Sequence, residues 1–408
     1  MRPPGTRTEP RRSLPIRKDD RFVVVALGGA EIISYGTLYY CVAGIAKEAS
    51  RDLAVTEEWI FACFSFALFA SAQMSLVAGR LMDRYGAGKT MRVASLAGGA
   101  SLGLAAISWN AVVFTVALFG MQLASAFLFY EAAFVFLVQR DAIHAKQQIA
   151  LLTLIVGLSS TLFWPLTSLS LTLISWRQLC WIYGGCNVLL ALPLIQLALG
   201  RSSVKRRDQN KVCGQQGPSS SKLSDLVLIT VGFSLTTFVF SAFLGQMIPI
   251  LSSIGLDMEG AWVSALFGPS QVAVRLFASS FTERISPIQL TILSCVMLSA
   301  ATFIITLTSH SLLGISIFIA LLGFSSGLNS ICRGSLPLSV FGQDGYGRRL
   351  GLITGFRLSA ASFAPFFFSV IQNHYGIVVA LASLAVCATG STLSFAFVSV
   401  RSKREPGR

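Results

Sequence analysis

Five ionisable side chains stand inside long apolar stretches of this chain: Glu31, Glu131, Arg275, Arg333 and Arg357. Glu31 is the plainest case, being the sole charge from Phe22 to Ala46. At the centre of a membrane-spanning helix such a group costs at least ~2.5–3.5 kcal/mol, so each is a functional-site candidate by default. The chemistry these types offer is specific. A buried carboxyl carries a proton or pairs with a cation, and a guanidinium holds a carboxylate through two parallel N–H bonds. At ~1.5 Å per residue, all five lie roughly 6–14 Å from the same end of their helices, so they are expected to share one layer. Three cations against two anions leave one positive charge uncompensated, an opening for an anionic ligand.

Their neighbours extend the pattern. Ser264, Gly268, Gln271 and Arg275 are spaced four, three and four, which puts a small and polar stripe on one helix face. Arg333 closes a similar stripe with Ser326 and Asn329 or Ser330. Tyr35 and Tyr39 share the face of Glu31 approximately, either to donate hydrogen bonds to a ligand or to pack with a satisfied hydroxyl. Each arginine also has a plainer role open to it. Arg333 with Glu131 reads as a structural ion pair as well as it reads as a coupling site, and Arg357 is close enough to a helix end to snorkel. The three histidines stand at loop edges (His144, His310, His374), with no nucleophile arrangement and no phosphate-binding loop. The eight cysteines show no metal-ligand spacing. Hydrolytic catalysis and ATP-driven pumping therefore have no residues to carry them, and neither a metal nor a cofactor is expected.

The elements that must hold these groups follow from composition. The chain has 408 residues, 53% hydrophobic and only 12% charged, with mean hydropathy +0.68. Soluble chains carry roughly a quarter charged residues. Breaking the apolar runs at charges and turn residues predicts twelve helical spans, at about 22–46, 57–79, 91–109, 111–137, 149–173, 177–199, 226–252, 259–281, 286–308, 311–337, 349–373 and 376–399. This is an all-α membrane protein. The basic amino terminus followed by an apolar run resembles a secretory signal, but the run is too long and lacks a small-residue cleavage site, so it reads as a retained first span. Trp59, Trp109, Trp176, Trp181 and Trp262 fall near one set of helix ends, an expected interfacial belt.

The formal net charge of +14 is a matter of topology. With the amino terminus inside, inward segments hold 26 Lys/Arg and 10 Asp/Glu, and outward loops hold three basic against six acidic residues. That bias predicts cytoplasmic termini and lipid, not nucleic acid, as the charge's partner. The expected organisation is a basic tail (1–21), a six-helix half (22–199), a polar cytoplasmic linker (200–225), a second six-helix half (226–399) and a short tail (400–408). The halves repeat at an offset near 200: Asp83-Arg84 corresponds to Glu283-Arg284, and Pro165 to Pro365, both prolines being expected kinks.

The loop after the second span reads GRLMDRYGAGKTMR, with Gly79, Asp83, Arg84, Gly86, Lys89 and Arg92 in the pattern GxxxDRxGxxK. Gly79 permits close helix approach, Gly86 a tight turn, and Asp83 suits a helix amino terminus. Arg84, Lys89 and Arg92 serve equally as topology determinants. The pattern, its place between spans two and three of twelve and its decayed second copy resemble the major facilitator superfamily of bacterial transporters. The resemblance implies two six-helix halves related by a pseudo-two-fold axis. Spans one, four, seven and ten would line a central cavity, and the Asp83 cluster would latch the halves in the outward-open state. Arg275 in span eight and Arg357 in span eleven resemble the basic pair by which the oxalate/formate and monocarboxylate porter branch holds carboxylate.

The expected function is secondary active transport by alternating access in a bacterial inner membrane. One reading is a proton-coupled or exchange porter of an organic anion. Arg275, Arg357, Gln271 and Tyr35 would then be on the substrate, with Glu31 or Glu131 carrying the proton. The alternative is export of a drug or a secreted metabolite such as a siderophore. The lack of a glycine-proline-glycine run in span five (GLSSTLFWPL) counts against drug/proton antiport.

Overall fold

In a computed structural model the chain is a helical bundle, described over residues 18–200, 220–253, 263, 266–281, 285–307 and 311–404. The described residues form twelve spans. Span 1 runs Lys18–Tyr35, through a π-helical turn at Gly36–Tyr40, into Cys41–Asp52. Spans 2 and 3 are Glu57–Tyr85 and Ala87–Ala106. Span 4 is Ala111–Ser125 plus Tyr130–Arg140, and span 5 is Ala145–Val156 plus Ser159–Leu171. Span 6 runs Trp176–Cys186, a π-helical turn at Asn187–Ala191, then Leu192–Gly200. Spans 7 to 12 are Ser220–Ser253, Phe267–Phe281, Pro287–Leu307, Leu312–Phe341, Tyr346–Tyr375 and Ile377–Arg404. Ten of them are long and apolar enough to cross a bilayer. The protein is a multi-pass membrane protein.

The described helices reach beyond the expected spans at many ends. Span 1 is already helical at Lys18 and span 7 at Ser220, span 2 runs on to Tyr85, span 5 begins at Ala145, and span 12 is still helical at Arg404. Hydropathy marks the stretch that lies in hydrocarbon, whereas the helix continues into the polar flank as long as its backbone bonds do. Ion pairs hold two of these flanks, Arg140 to Asp20 at 2.8 Å and Arg401 to Asp225 at 3.7 Å. Most of the expected tail and linker (1–17, 201–219, 405–408), together with Glu283, Arg284, Ser264, Trp262 and His310, lies outside the described residues.

The short loops opposite the Asp83 loop work as helix caps. Asn110 and Ser175 each accept a bond from the backbone N–H three residues on, the latter in a reciprocal capping box with Gln178. Trp176 departs from the expected belt. It is buried, edge-on to Phe114, and its indole N–H donates to Asp52 at 2.9 Å, with Arg177 on the same carboxylate. Trp109 and Trp181 do stay exposed.

Each half buries most of its own apolar core: the first lies mainly between Val23 and Ala198 and takes in Tyr346 and Leu350 of span 11, and the second lies in two clusters of the later spans, one of which takes in Ala150 of span 5. Between the halves, span 2 packs on span 11 and span 5 on span 8, and spans 4 and 5 reach spans 10 and 11. Spans 4 and 5 make these contacts with Tyr130–Arg140 and Ala145–Val156, the segments nearer the Asp83 loop. The halves are thus closed at the Asp83 end.

The prolines behave differently from one another. Pro365 removes the hydrogen bond to the carbonyl of Ala361, and Ser241 of span 7 donates to that carbonyl at 2.7 Å. Pro165 lies within the continuous helix Ser159–Leu171, and the break in span 5 comes earlier, at Gly157–Leu158. The interruption of span 5 therefore falls at the glycine and not at the proline.

Candidate functional site

Span 4 is interrupted between Ser125 and Tyr130, and Phe129 takes an extended conformation before the second segment begins. Glu131 consequently occupies the first turn of a half-helix, where the helix dipole favours a carboxylate. Its Oε1 accepts from Arg357 Nη2 at 2.8 Å and faces Arg333 Nη1 at 3.8 Å. The short partner is Arg357, from span 11, and the expected Glu131–Arg333 pair is the looser of the two. Arg357 does not snorkel. It is 4% exposed, because the span 11 helix starts as early as Tyr346 and carries residue 357 three turns inward.

Arg333 completes its environment over the ring of Tyr130, 5.4 Å from the centroid. Tyr130 also lies 5.2 Å from Tyr35, whose ring stacks on Phe129 at 3.8 Å, and within electrostatic reach of Glu31, Glu131, Arg275 and Arg333. The five intramembrane charges therefore do converge, around a tyrosine that the spacing arguments passed over. Its adjacency to Glu131 in an apolar span was the available signal.

Glu31 is 1% exposed, and among the described residues neither carboxyl oxygen has a hydrogen-bond partner. Its charged neighbours are Glu131 and Arg333. Arg275, 6% exposed, crosses from span 8 to span 5, where its Nη1 donates to the carbonyl of Thr153 at 3.3 Å. The Nε of Arg275 and that of Arg333 are both buried without an acceptor among the described residues. Two guanidinium groups in one layer thus keep unused donors, and one carboxyl keeps unused acceptors.

Two expected ligands are occupied elsewhere. Gln271 donates from its amide to Ser326 of span 10 at 2.8 Å, and Gly327 abuts the Gln271 backbone, so this part of the polar stripe is a helix–helix seam. Periodicity found the face correctly but not which helix that face meets. Tyr39 packs on Tyr40 and Phe64.

The Asp83 loop forms the closed end. The carboxylate of Asp83 accepts from the backbone N–H of Gly347 at 3.0 Å and of Arg348 at 2.7 Å, at the amino terminus of span 11. Gly86 takes the positive φ (+88°) that the turn requires. Gly79 lies against the Gly347 carbonyl so closely that a Cβ there would collide with it. Arg84 and Lys89 remain exposed, Arg84 stacking over Tyr85 at 5.2 Å. Asp83→Asn keeps one acceptor and removes the charge. It is expected to shift the closed-to-open balance by about five-fold toward opening at this end, readable as faster labelling of a cysteine introduced at the buried Met82. Unchanged labelling would show that the carboxylate does not hold span 11.

A sequence model described as Major Facilitator Superfamily matches residues 32–365. No curated protein sequence matches the chain. Among solved structures, it is similar to the human organic anion transporter MFSD10 (TETRAN), at TM-score 0.70 and 15% identity over 94% of this chain and 100% of that one. It is also similar to FucP in the outward conformation (0.68, 12%, 93% and 99%) and to the proton:xylose symporter XylE (0.67, 13%, 92% and 94%). At these identities the likeness speaks for the fold alone.

Proposed function

The chain belongs to the major facilitator superfamily, and we propose that it is a porter of a small organic anion, recognised by its carboxylate and moved with or against protons. As a member of that family it is a transporter and not an enzyme, acting on a small molecule by alternating access. The observation that carries the anion reading is the donor surplus at the centre of the bundle. Among the described residues Glu131 is the one carboxylate bonded there, shared by Arg357 and Arg333, while Arg275 rests on a main-chain carbonyl. Buried donors without acceptors are costly, and a carboxylate entering the layer would satisfy the Nε groups of Arg275 and Arg333 in the bidentate geometry guanidinium favours.

Glu31 is the proton carrier in this reading, since its oxygens have no donor in this conformation while Glu131 is committed to two arginines. An ionised carboxylate buried without a partner is strongly disfavoured, so a proton arriving or leaving there changes the charge that Arg333 and the substrate feel. The positive bias of the inward segments supports a cytoplasmic position for the Asp83 end, in an inner membrane. The conformation is then outward-facing.

The test is flux in reconstituted vesicles against a panel of small carboxylates and amphipathic cations. Carboxylate flux is expected, with KM raised at least tenfold by Arg275→Ala and the response to a pH gradient lost in Glu31→Gln. Flux of amphipathic cations without carboxylates would overturn the anion reading in favour of drug or metabolite export. Carboxylate flux indifferent to Arg275→Ala would remove that residue from the substrate.

A further inference from the structure

Arg275 reaches the opposite half at the one place where span 5 is broken. The first segment of span 5 ends at Val156, Gly157 closes its last turn by donating to Thr153 O at 3.1 Å, and the helix resumes at Ser159. The Thr153 carbonyl therefore lies in the final turn of a half-helix, bonded to Gly157 and with a second lone pair to offer, where the dipole favours a cation. The guanidinium supplies that cation from span 8. It lies directly over Gly157: a Cβ built on that glycine would collide with Nη1 and come to 3.2 Å from Cζ. The segment's own Thr153 carbonyl would lie 3.1 Å from that Cβ. Gly157 has an ordinary right-handed helical conformation, φ −59°, so its backbone has no need of glycine. The space above it is the reason.

We propose that Gly157 is a positioning residue, the seat on which the Arg275 guanidinium docks to lock spans 5 and 8 together at the Asp83 end. An anionic substrate opens the lock by drawing Arg275 off that seat. The inference rests on the anion reading for its second half only. Its first half is a statement about the empty transporter. The electrostatics support the exchange. A neutral carbonyl at 3.3 Å is a weaker partner for guanidinium than a carboxylate, and the unused Nε–H keeps the second tooth of the fork free for one. Spans 5 and 8 are also held at their ends by Lys146, which donates to the Ile285 carbonyl at 2.7 Å. Release of Arg275 is thus the membrane-depth half of a two-point contact.

The experiment reads conformation without substrate. Spin labels are placed through Ile143→Cys, in the loop before span 5, and Gln289→Cys, in the first turn of span 9 just past Ile285, in a background whose accessible native cysteines are replaced. Distance distributions are then measured in reconstituted full-length protein. Gly157→Ala and Arg275→Ala are each expected to raise the long-distance population relative to the short by about five-fold or more. The double variant is expected to match either single one, because both remove the same contact. Gly157→Ala that leaves the distribution unchanged, or effects that add in the double variant, would overturn the seat. Adding a transported carboxylate to the unsubstituted protein is expected to raise the same long-distance population, and an unchanged population at saturating carboxylate would overturn the unlocking step. Absence of any carboxylate flux would instead overturn the anion reading while the apo distances stand.

Discussion

Arg357→Ala is expected to be the most damaging single substitution in the bundle. The guanidinium is 4% exposed and supplies the 2.8 Å bond to Glu131, whose remaining cation, Arg333, stands at 3.8 Å. Removing one member of a buried ion pair leaves the other charged and desolvated, a loss of about 3–5 kcal/mol. Arg333 moderates that loss if it closes on Glu131, which it does only by leaving the ring of Tyr130. The purified protein should melt well below the unsubstituted one, and transport should fail. The double replacement Glu131→Gln with Arg357→Met is expected to recover most of the melting temperature and none of the transport. That split separates the pair's structural from its functional part. An Arg357→Ala protein as stable as the parent would mean that Glu131 is not ionised against it.

The pair matters beyond its own energy because it crosses the halves. Glu131 belongs to span 4 and Arg357 to span 11, Arg275 of span 8 reaches span 5, and Asp83 of span 2 holds the start of span 11. Each of the three bonds joins the first half to the second on the side where the bundle is closed. A transporter must break such bonds once per cycle, so they cannot be individually strong without also being exchangeable. Arg333 is the group placed for exchange, being loosely on Glu131 and an electrostatic neighbour of Glu31.

Most of this framework was legible in residue order, and the reasons differ by level. The spans come from hydropathy, which needs no partner: a stretch such as FVVVALGGA reads as membrane wherever it packs. The convergence of five charges came from depth along each helix, which a fixed rise per residue supplies. What did not come through is the pairing. Whether Glu131 meets Arg333 or Arg357 depends on the rotation of spans 10 and 11 about their axes, and that is set by contacts such as Gly351 on span 2, not by anything local to the arginines. The same ignorance sent the Gln271 stripe to a cavity when it serves span 10. The helix break at Gly157 was hidden for another reason. Glycine within a span is a weak local signal, whereas Pro165 is a strong one, yet the missing Cβ at 157 is what a distant arginine uses.

Gly351→Leu is expected to invert the resting conformation. Along span 11, Gly347, Gly351 and Gly355 recur every four residues on one face against span 2. A Cβ at 351 would collide with the Ser75 carbonyl and lie 3.2 Å from the Gly79 Cα, while one at 355 meets Leu76 at 2.8 Å. The neighbours at 351 are backbone, so no rotamer change makes room there and spans 2 and 11 must part. Overpacking of this kind costs about 1–3 kcal/mol in the closed arrangement. Opening at the Asp83 end relieves it without unfolding either half, because most of each core lies within its own half and only Tyr346 and Leu350 of span 11 are drawn out of the first. An equal bias between two conformers shifts their ratio by roughly 5–150-fold. The variant should therefore fold, and a cysteine introduced at Met82, buried in this conformation, should label readily. Net transport should fall, since the cycle needs the closed state it has lost, and Gly351→Ala should lie between. A Gly351→Leu protein that transports normally, with Met82→Cys still protected, would show that spans 2 and 11 do not form the gate.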